Sequence, residues 1–133
     1  MVKIRDLNNR DYRTLLVFQK SLEWAERIRI VAEALPESEW TLKKKMLKAS
    51  CKIPALIANG NSQFYLTIER EAYRKALNNA KETQGMLKLM SDSGFIDEQE
   101  HKNIIDKTDE VGKMLNAMRK RDSAKIEGKQ EVS

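Results

Sequence analysis

From Tyr12 to Leu35 apolar residues return every three or four positions, at Leu15, Phe18, Leu22, Ala25, Ile28, Ala32 and Leu35. That is the period of a helix with one buried stripe, and it predicts a first helix over 12–35. Pro36 ends it, because the residue before a proline is disfavoured in the α region. Ser38 is placed to cap a second helix over 39–58, with apolar positions Leu42, Met46, Ala49, Ile53 and Leu56. Pro54 lies inside that helix and crowds the carbonyl of Ser50, so a bend is expected there. Asn59-Gly60 reads as the C-cap.

The third helix is expected to begin between Ser62 and Phe64 and to run to Met90, with Tyr65, Ile68, Ala72, Ala76, Ala80, Thr83, Met86 and Met90 along one side. Ser91 to Gly94 reads as a turn. Asp97 then caps a fourth helix, with Glu100 completing a capping box. In that helix Ile104, Thr108, Val111, Leu115 and Met118 follow the alternating spacing of a bundle seam. Asp97, Glu98 and Glu100 fall in its first turn and Arg119, Lys120 and Arg121 in its last, matching the helix dipole. Beyond Asp122 no apolar period is sustained, and a flexible tail is expected. The organisation is therefore an N-terminal arm (1–11), a bundle (12–121) and a C-terminal tail (122–133). Short links make an all-α, antiparallel up-down-up-down four-helix bundle the simplest topology.

Composition agrees with a helical domain. The 133 residues are 41% hydrophobic and 34% charged, with only 2 Pro and 5 Gly. Lys and Arg exceed Asp and Glu by 25 to 20, a net charge of +5 that biases the chain toward polyanions. Cys51 is the only cysteine, so an intrachain disulfide is excluded and a reducing, cytoplasmic setting is expected. The start, Met-Val-Lys-Ile-Arg-Asp, has no apolar signal region, and no later stretch approaches the roughly 20 apolar residues of a membrane span.

Catalytic chemistry finds little support. Glu98-Gln99-Glu100-His101 contains the Glu-x-x-His half of a di-iron site, but such a site needs a second copy and His101 is the only histidine. Helix capping accounts for the carboxylates. A Cys51–His101 nucleophile pair has nothing to bring it together, and Cys51, near the apolar side of the second helix, reads as a small buried hydrophobe. With no Gly-rich phosphate loop, serine elbow or Cys/His cluster, neither an enzyme nor a bound metal or cofactor is expected.

The second helix carries Lys43, Lys44, Lys45, Lys48 and Lys52 against a single acidic residue, Glu39. Lys45, Lys48 and Lys52 are spaced to share one face, with Lys44 on its flank. Such a strip repels itself; phosphates would offset that repulsion through counterion release, and a plain solvated face is the alternative. Arg70 and Arg74, and Arg119, Lys120 and Arg121, are the further candidates for contacts with nucleic acid. Trp24, Trp40, Tyr65 and Tyr73 could stack bases or pack at helix faces. The apolar positions outside the seams, Val17, Trp24, Ile30, Leu47 and Leu77, suggest contacts between subunits.

Several segments carry a family likeness: Phe18-Gln19-Lys20-Ser21, Leu35-Pro36-Glu37, Ile53-Pro54-Ala55-Leu56-Ile57-Ala58-Asn59-Gly60, Glu82-Thr83-Gln84 and Glu110-Val111-Gly112-Lys113-Met114-Leu115-Asn116. Over about residues 12–121 the chain resembles the 23S ribosomal RNA intervening-sequence protein family, which also contains the accessory variability determinants of diversity-generating retroelements. The resemblance implies a four-helix bundle assembling into a homopentameric barrel, without enzymatic activity. In the retroelement branch it further implies a basic barrel that binds RNA and DNA and pairs with a reverse transcriptase. Leu56 and Asn59 stand where the ribosomal branch usually has Asn and Glu, whereas Glu82-Thr83-Gln84 is typical of that branch.

Overall fold

The computed structural model describes residues 11–132, and their side chains through residue 128. The expected N-terminal arm lies almost wholly outside the described residues. A single 3-10 turn at Tyr12–Thr14, capped by the Asp11 carboxylate accepting from the Arg13 N–H at 3.0 Å, leads into four α-helices: α1 (Leu16–Glu33), α2 (Trp40–Asn61), α3 (Leu66–Asp92) and α4 (Glu98–Val132). Each helix packs on the next, and α1 also packs on α4, which closes a ring of four around one core.

The helices start and stop near the expected places, with instructive differences. Asp97 caps α4 as expected: its Oδ1 accepts from the Glu100 N–H at 2.7 Å. The Glu100 carboxylate reaches across to Arg27 at 2.8 Å, so the reciprocal half of the capping box is given up for an ion pair with α1. The turn expected at Ser91–Gly94 is shorter, because α3 runs on to Asp92 and only Ser93 and Gly94 leave the helix. Gly94 adopts φ +79°, and the Phe95 N–H donates to the Met90 carbonyl at 2.9 Å, a closure that needs a residue tolerant of left-handed backbone. Ser38 does not cap α2. It lies within a 3-10 turn, Glu37–Glu39, that feeds directly into the helix. The helix itself passes through Pro54 without a break.

Asn59-Gly60 is not the end of α2, which continues to Asn61. Gly60 is buried where α2 meets α3; a Cβ there would stand 2.9 Å from the Tyr73 ring and 3.0 Å from the Ala72 Cβ. The glycine is present because two helices approach closely, a demand made by α3 rather than by the local turn.

The expected α1 stripe holds at Ala25, Ile28, Ala32 and Leu35, which are buried, and at Leu15 and Phe18, which pack partly buried against the core, with Leu22 the exception. Val17, Ser21, Trp24 and Val31 are buried as well, whereas Leu22 is exposed. Two overlapping apolar stripes exist on this helix, and the one that buries Trp24 removes more apolar surface from water. Val17 and Trp24 thus belong to the core and not to a subunit contact. On α3, Leu66, Tyr73 and Leu87 join the expected Ala72, Ala76, Ala80, Thr83 and Met90, while Ile68 turns outward.

The expected tail from Asp122 is the largest correction. The helix of α4 runs on to Val132, and within the extension Asp122 and Ile126 are buried. Ile126 packs on Leu66 at the start of α3, forming a small apolar cluster separate from the main core. A lone isoleucine makes no period, so the sequence pattern gives no hint of this contact. The extension also moves Arg119, Lys120 and Arg121 from a helix terminus to mid-helix, where the dipole does not account for them.

Candidate nucleic-acid interface

The α2 lysines separate into three environments. Lys43 lies beside two carboxylates, Glu33 at 3.7 Å and Glu37 at 3.9 Å, and is withdrawn from the strip. Lys44 sits over the exposed Trp40 ring, its Nζ 5.7 Å from the centroid. Lys45, Lys48 and Lys52 line a single shallow recess of about 410 Å³ between α2 and α3, floored by Ala49 and Met86, with Glu82 the one carboxylate in its wall. None of these three lysines forms an ion pair among the described residues.

The remaining candidates come together across a different groove. Arg70 and Arg74 of α3 and Arg119 and Lys120 of α4 line one recess of about 330 Å³. Arg74 is neutralised there by Glu71, held by a forked pair of hydrogen bonds that keeps the Glu71 carboxyl below the usual carboxylate range. Arg70 donates to the Ser123 hydroxyl at 3.2 Å, and Arg119 to the Asn116 side-chain oxygen at 3.0 Å. Arg121 is exposed and belongs to neither recess. Arg119 also lines the neighbouring stretch of the α3–α4 groove, with Lys81 and Lys113. Ser123, Lys81 and Lys113 were missed by sequence reasoning. Ser123 fell in the supposed tail; the other two carry a readable signal, since Arg74 and Lys81, and Lys113 and Lys120, are each two helical turns apart.

The opposite side of the ring has the reverse character. The α1–α4 groove is lined by Glu23, Glu26 and Asp106 against Arg27 and Lys107. Two cations on that side are paired, Lys20 with Glu110 at 3.5 Å and Arg27 with Glu100 at 2.8 Å, and the carboxylates lining the groove outnumber its cations. Three lysines without ion pairs therefore line the α2–α3 groove, and Lys81, Lys113, Arg119 and Lys120 line the α3–α4 groove, the two grooves a polyanion would approach.

The stacking candidates divide similarly. Trp24 and Tyr73 are buried and unavailable to bases; Trp40 is exposed, and Tyr65 packs edge-on against Phe64 with ring centroids 5.3 Å apart. Cys51, expected to be buried, is exposed, with the Arg29 guanidinium 3.7 Å from its sulfur. The apolar surface of α2 faces away from it. His101 is half-buried, and among the described residues no group of three or more His, Cys, Asp or Glu could hold a metal ion. No helix among the described residues is long and apolar enough to cross a membrane.

Next in the chain to Ser123 of the arginine recess, Asp122 is buried against Glu69 of α3. Burial first, then the charge of Glu69 and a hydrogen bond with it, push the Asp122 carboxyl from 3.8 up to about 7, with Lys125 and Arg121 opposing. The folded state thus keeps a proton that the unfolded chain releases, so stability falls as pH rises from about 4 to about 7. Asp122→Asn removes that dependence and, with an amide N–H facing the Glu69 carboxylate, stabilises the chain by about 1 kcal/mol at alkaline pH. Denaturant unfolding across this pH range reads both effects; an unchanged pH slope in the variant contradicts them.

Comparisons with known proteins agree with the helical architecture. The family model described as 23S rRNA-intervening sequence protein matches residues 13–117. Among solved structures, the chain is similar to a protein of unknown function from the S23 ribosomal protein family of Bacteroides thetaiotaomicron, with 26% identity and a TM-score of 0.75 over 79% of this chain and 99% of that one. Neither match indicates a catalytic family. No curated protein matches the chain. With the family model spanning most of its length, this chain belongs to the 23S rRNA-intervening sequence protein family.

Proposed function

We propose that this chain is a non-catalytic, cytoplasmic scaffold that self-associates, as a pentamer by family likeness, and binds RNA or DNA through the phosphate backbone, serving as a partner to a nucleic-acid enzyme such as a reverse transcriptase. The observation that carries the binding is the gathering of Lys45, Lys48 and Lys52 in one recess without ion pairs, while on the α1–α4 side Lys20 and Arg27 are paired and carboxylates outnumber cations in the groove. Unmatched like charges on one face destabilise a fold by mutual repulsion, and a polyanion reverses that term. Only Trp40 stands well exposed among the stacking candidates, which favours backbone contacts over base readout. Self-association is supported by apolar side chains left in solvent, including Ile30 at 56% and Leu16 at 56% exposure on α1. Links of a few residues between α2 and α3 and between α3 and α4 favour an up-down-up-down arrangement.

The test is binding of a fluorescent single-stranded uridine homopolymer, and of an RNA–DNA heteroduplex, followed as salt is raised from about 50 to about 200 mM. Replacing Lys44, Lys45, Lys48 and Lys52 by alanine weakens binding about a hundredfold at the lower salt and flattens the log–log salt slope by about 3. Wild-type protein that binds neither probe at low salt overturns the reading, and a monomer by light scattering at micromolar concentration removes its assembly half.

A further inference from the structure

We infer that the α3–α4 groove is a phosphodiester track ending in an arginine clamp, where Arg70 and Arg119 grip a strand by forked hydrogen bonds rather than by charge alone. This rests on the nucleic-acid reading above and adds to the α2 strip a second groove with its own mode of contact. The groove is continuous, because Arg119 lines both the recess shared with Arg70, Arg74 and Lys120 and the adjoining stretch shared with Lys81 and Lys113. Its carboxylates are outnumbered. Glu71 is neutralised by Arg74, and Asp109, which accepts from the Gln84 amide at 2.6 Å and keeps its charge, stands against Lys81, Lys113 and Arg119.

The partners of the two clamp arginines decide the chemistry. A hydroxyl (Ser123) and an amide oxygen (Asn116) orient the guanidinium groups without neutralising them. Each guanidinium has five N–H donors in a rigid fork, and a single bond to a neutral partner leaves the rest free for phosphate oxygens. Neither Arg70 nor Arg119 forms an ion pair among the described residues. Lysine at these places would keep the charge and lose the fork, whereas the α2 strip is built of lysines whose contribution is charge. The two surfaces should therefore respond differently to the same experiment.

Arg70→Lys with Arg119→Lys conserves net charge. The expected result is binding of the uridine homopolymer about tenfold weaker with the salt slope unchanged, in contrast to the alanine variants of α2, which lose slope. Wild-type protein also gives an independent readout: arginine-selective modification by phenylglyoxal, followed by peptide mass spectrometry, should show Arg70 and Arg119 protected by the bound homopolymer while Arg13 reacts equally in both states. A double variant that is folded by circular dichroism and binds like wild type overturns the clamp. Absence of protection at Arg70 and Arg119 in bound wild type does so as well. Failure of the wild type to bind at all instead overturns the nucleic-acid reading on which the clamp rests.

Discussion

Replacing Trp24 by alanine lowers the unfolding free energy by about 3–5 kcal/mol, the range for truncating a large aromatic in a packed core. Trp24 is 1% exposed, and its indole N–H donates to the Thr108 hydroxyl at 2.9 Å, which in turn donates to the Ile104 carbonyl at 2.7 Å. That chain of bonds crosses from α1 to α4, the least extensive helix contact in the closed ring. Truncation therefore opens a cavity where few other side chains can close it. Trp24→Phe keeps most of the volume and loses one hydrogen bond, a cost of about 1 kcal/mol. Chemical denaturation with a constant m-value separates the two variants; Trp24→Ala within about 1 kcal/mol of wild type would show that the indole is not part of the core.

A comparable loss is expected from Gly60→Val, about 3 kcal/mol at the upper end of overpacking costs. The first added carbon already meets the Tyr73 ring at 2.9 Å and Ala72 at 3.0 Å, and the Tyr73 side chain is fully buried, with no solvent to swing into. Helix propensity works the other way, since glycine is the poorer helix former by several tenths of a kcal/mol, but steric displacement of α2 from α3 outweighs it. Thermal unfolding of Gly60→Ala and Gly60→Val should show a graded loss. A gain in stability for both would mean that α2 and α3 are farther apart than the structure places them.

Both predictions concern residues whose roles local sequence misassigned, and the misassignments share a cause. Asn59-Gly60 has the composition of a helix end, and Trp24 sits on a helix with two overlapping apolar stripes. Choosing between a cap and a close crossing, or between the stripes, requires knowing which helix lies opposite. The same holds for Cys51, which two neighbours on α2, Ser50 and Ile53, leave on the exposed side when they turn into the core.

The amino-acid order alone determined the all-α class, the approximate helix limits, the Asp97 cap and the shared face of Lys45, Lys48 and Lys52, because helical period and capping depend on residues within four or so positions of one another. Lack of a second histidine was legible at the same level, and with it the weakness of a di-iron reading. Tertiary structure alone decided what depends on neighbours remote in the chain. It joined Arg70 to Arg119, drew Lys43 away to Glu33 and Glu37, and carried α4 past Asp122 by packing Ile126 on Leu66. A single isoleucine or an isolated arginine has no period to read. Its role is set by the side chains that a second helix places beside it.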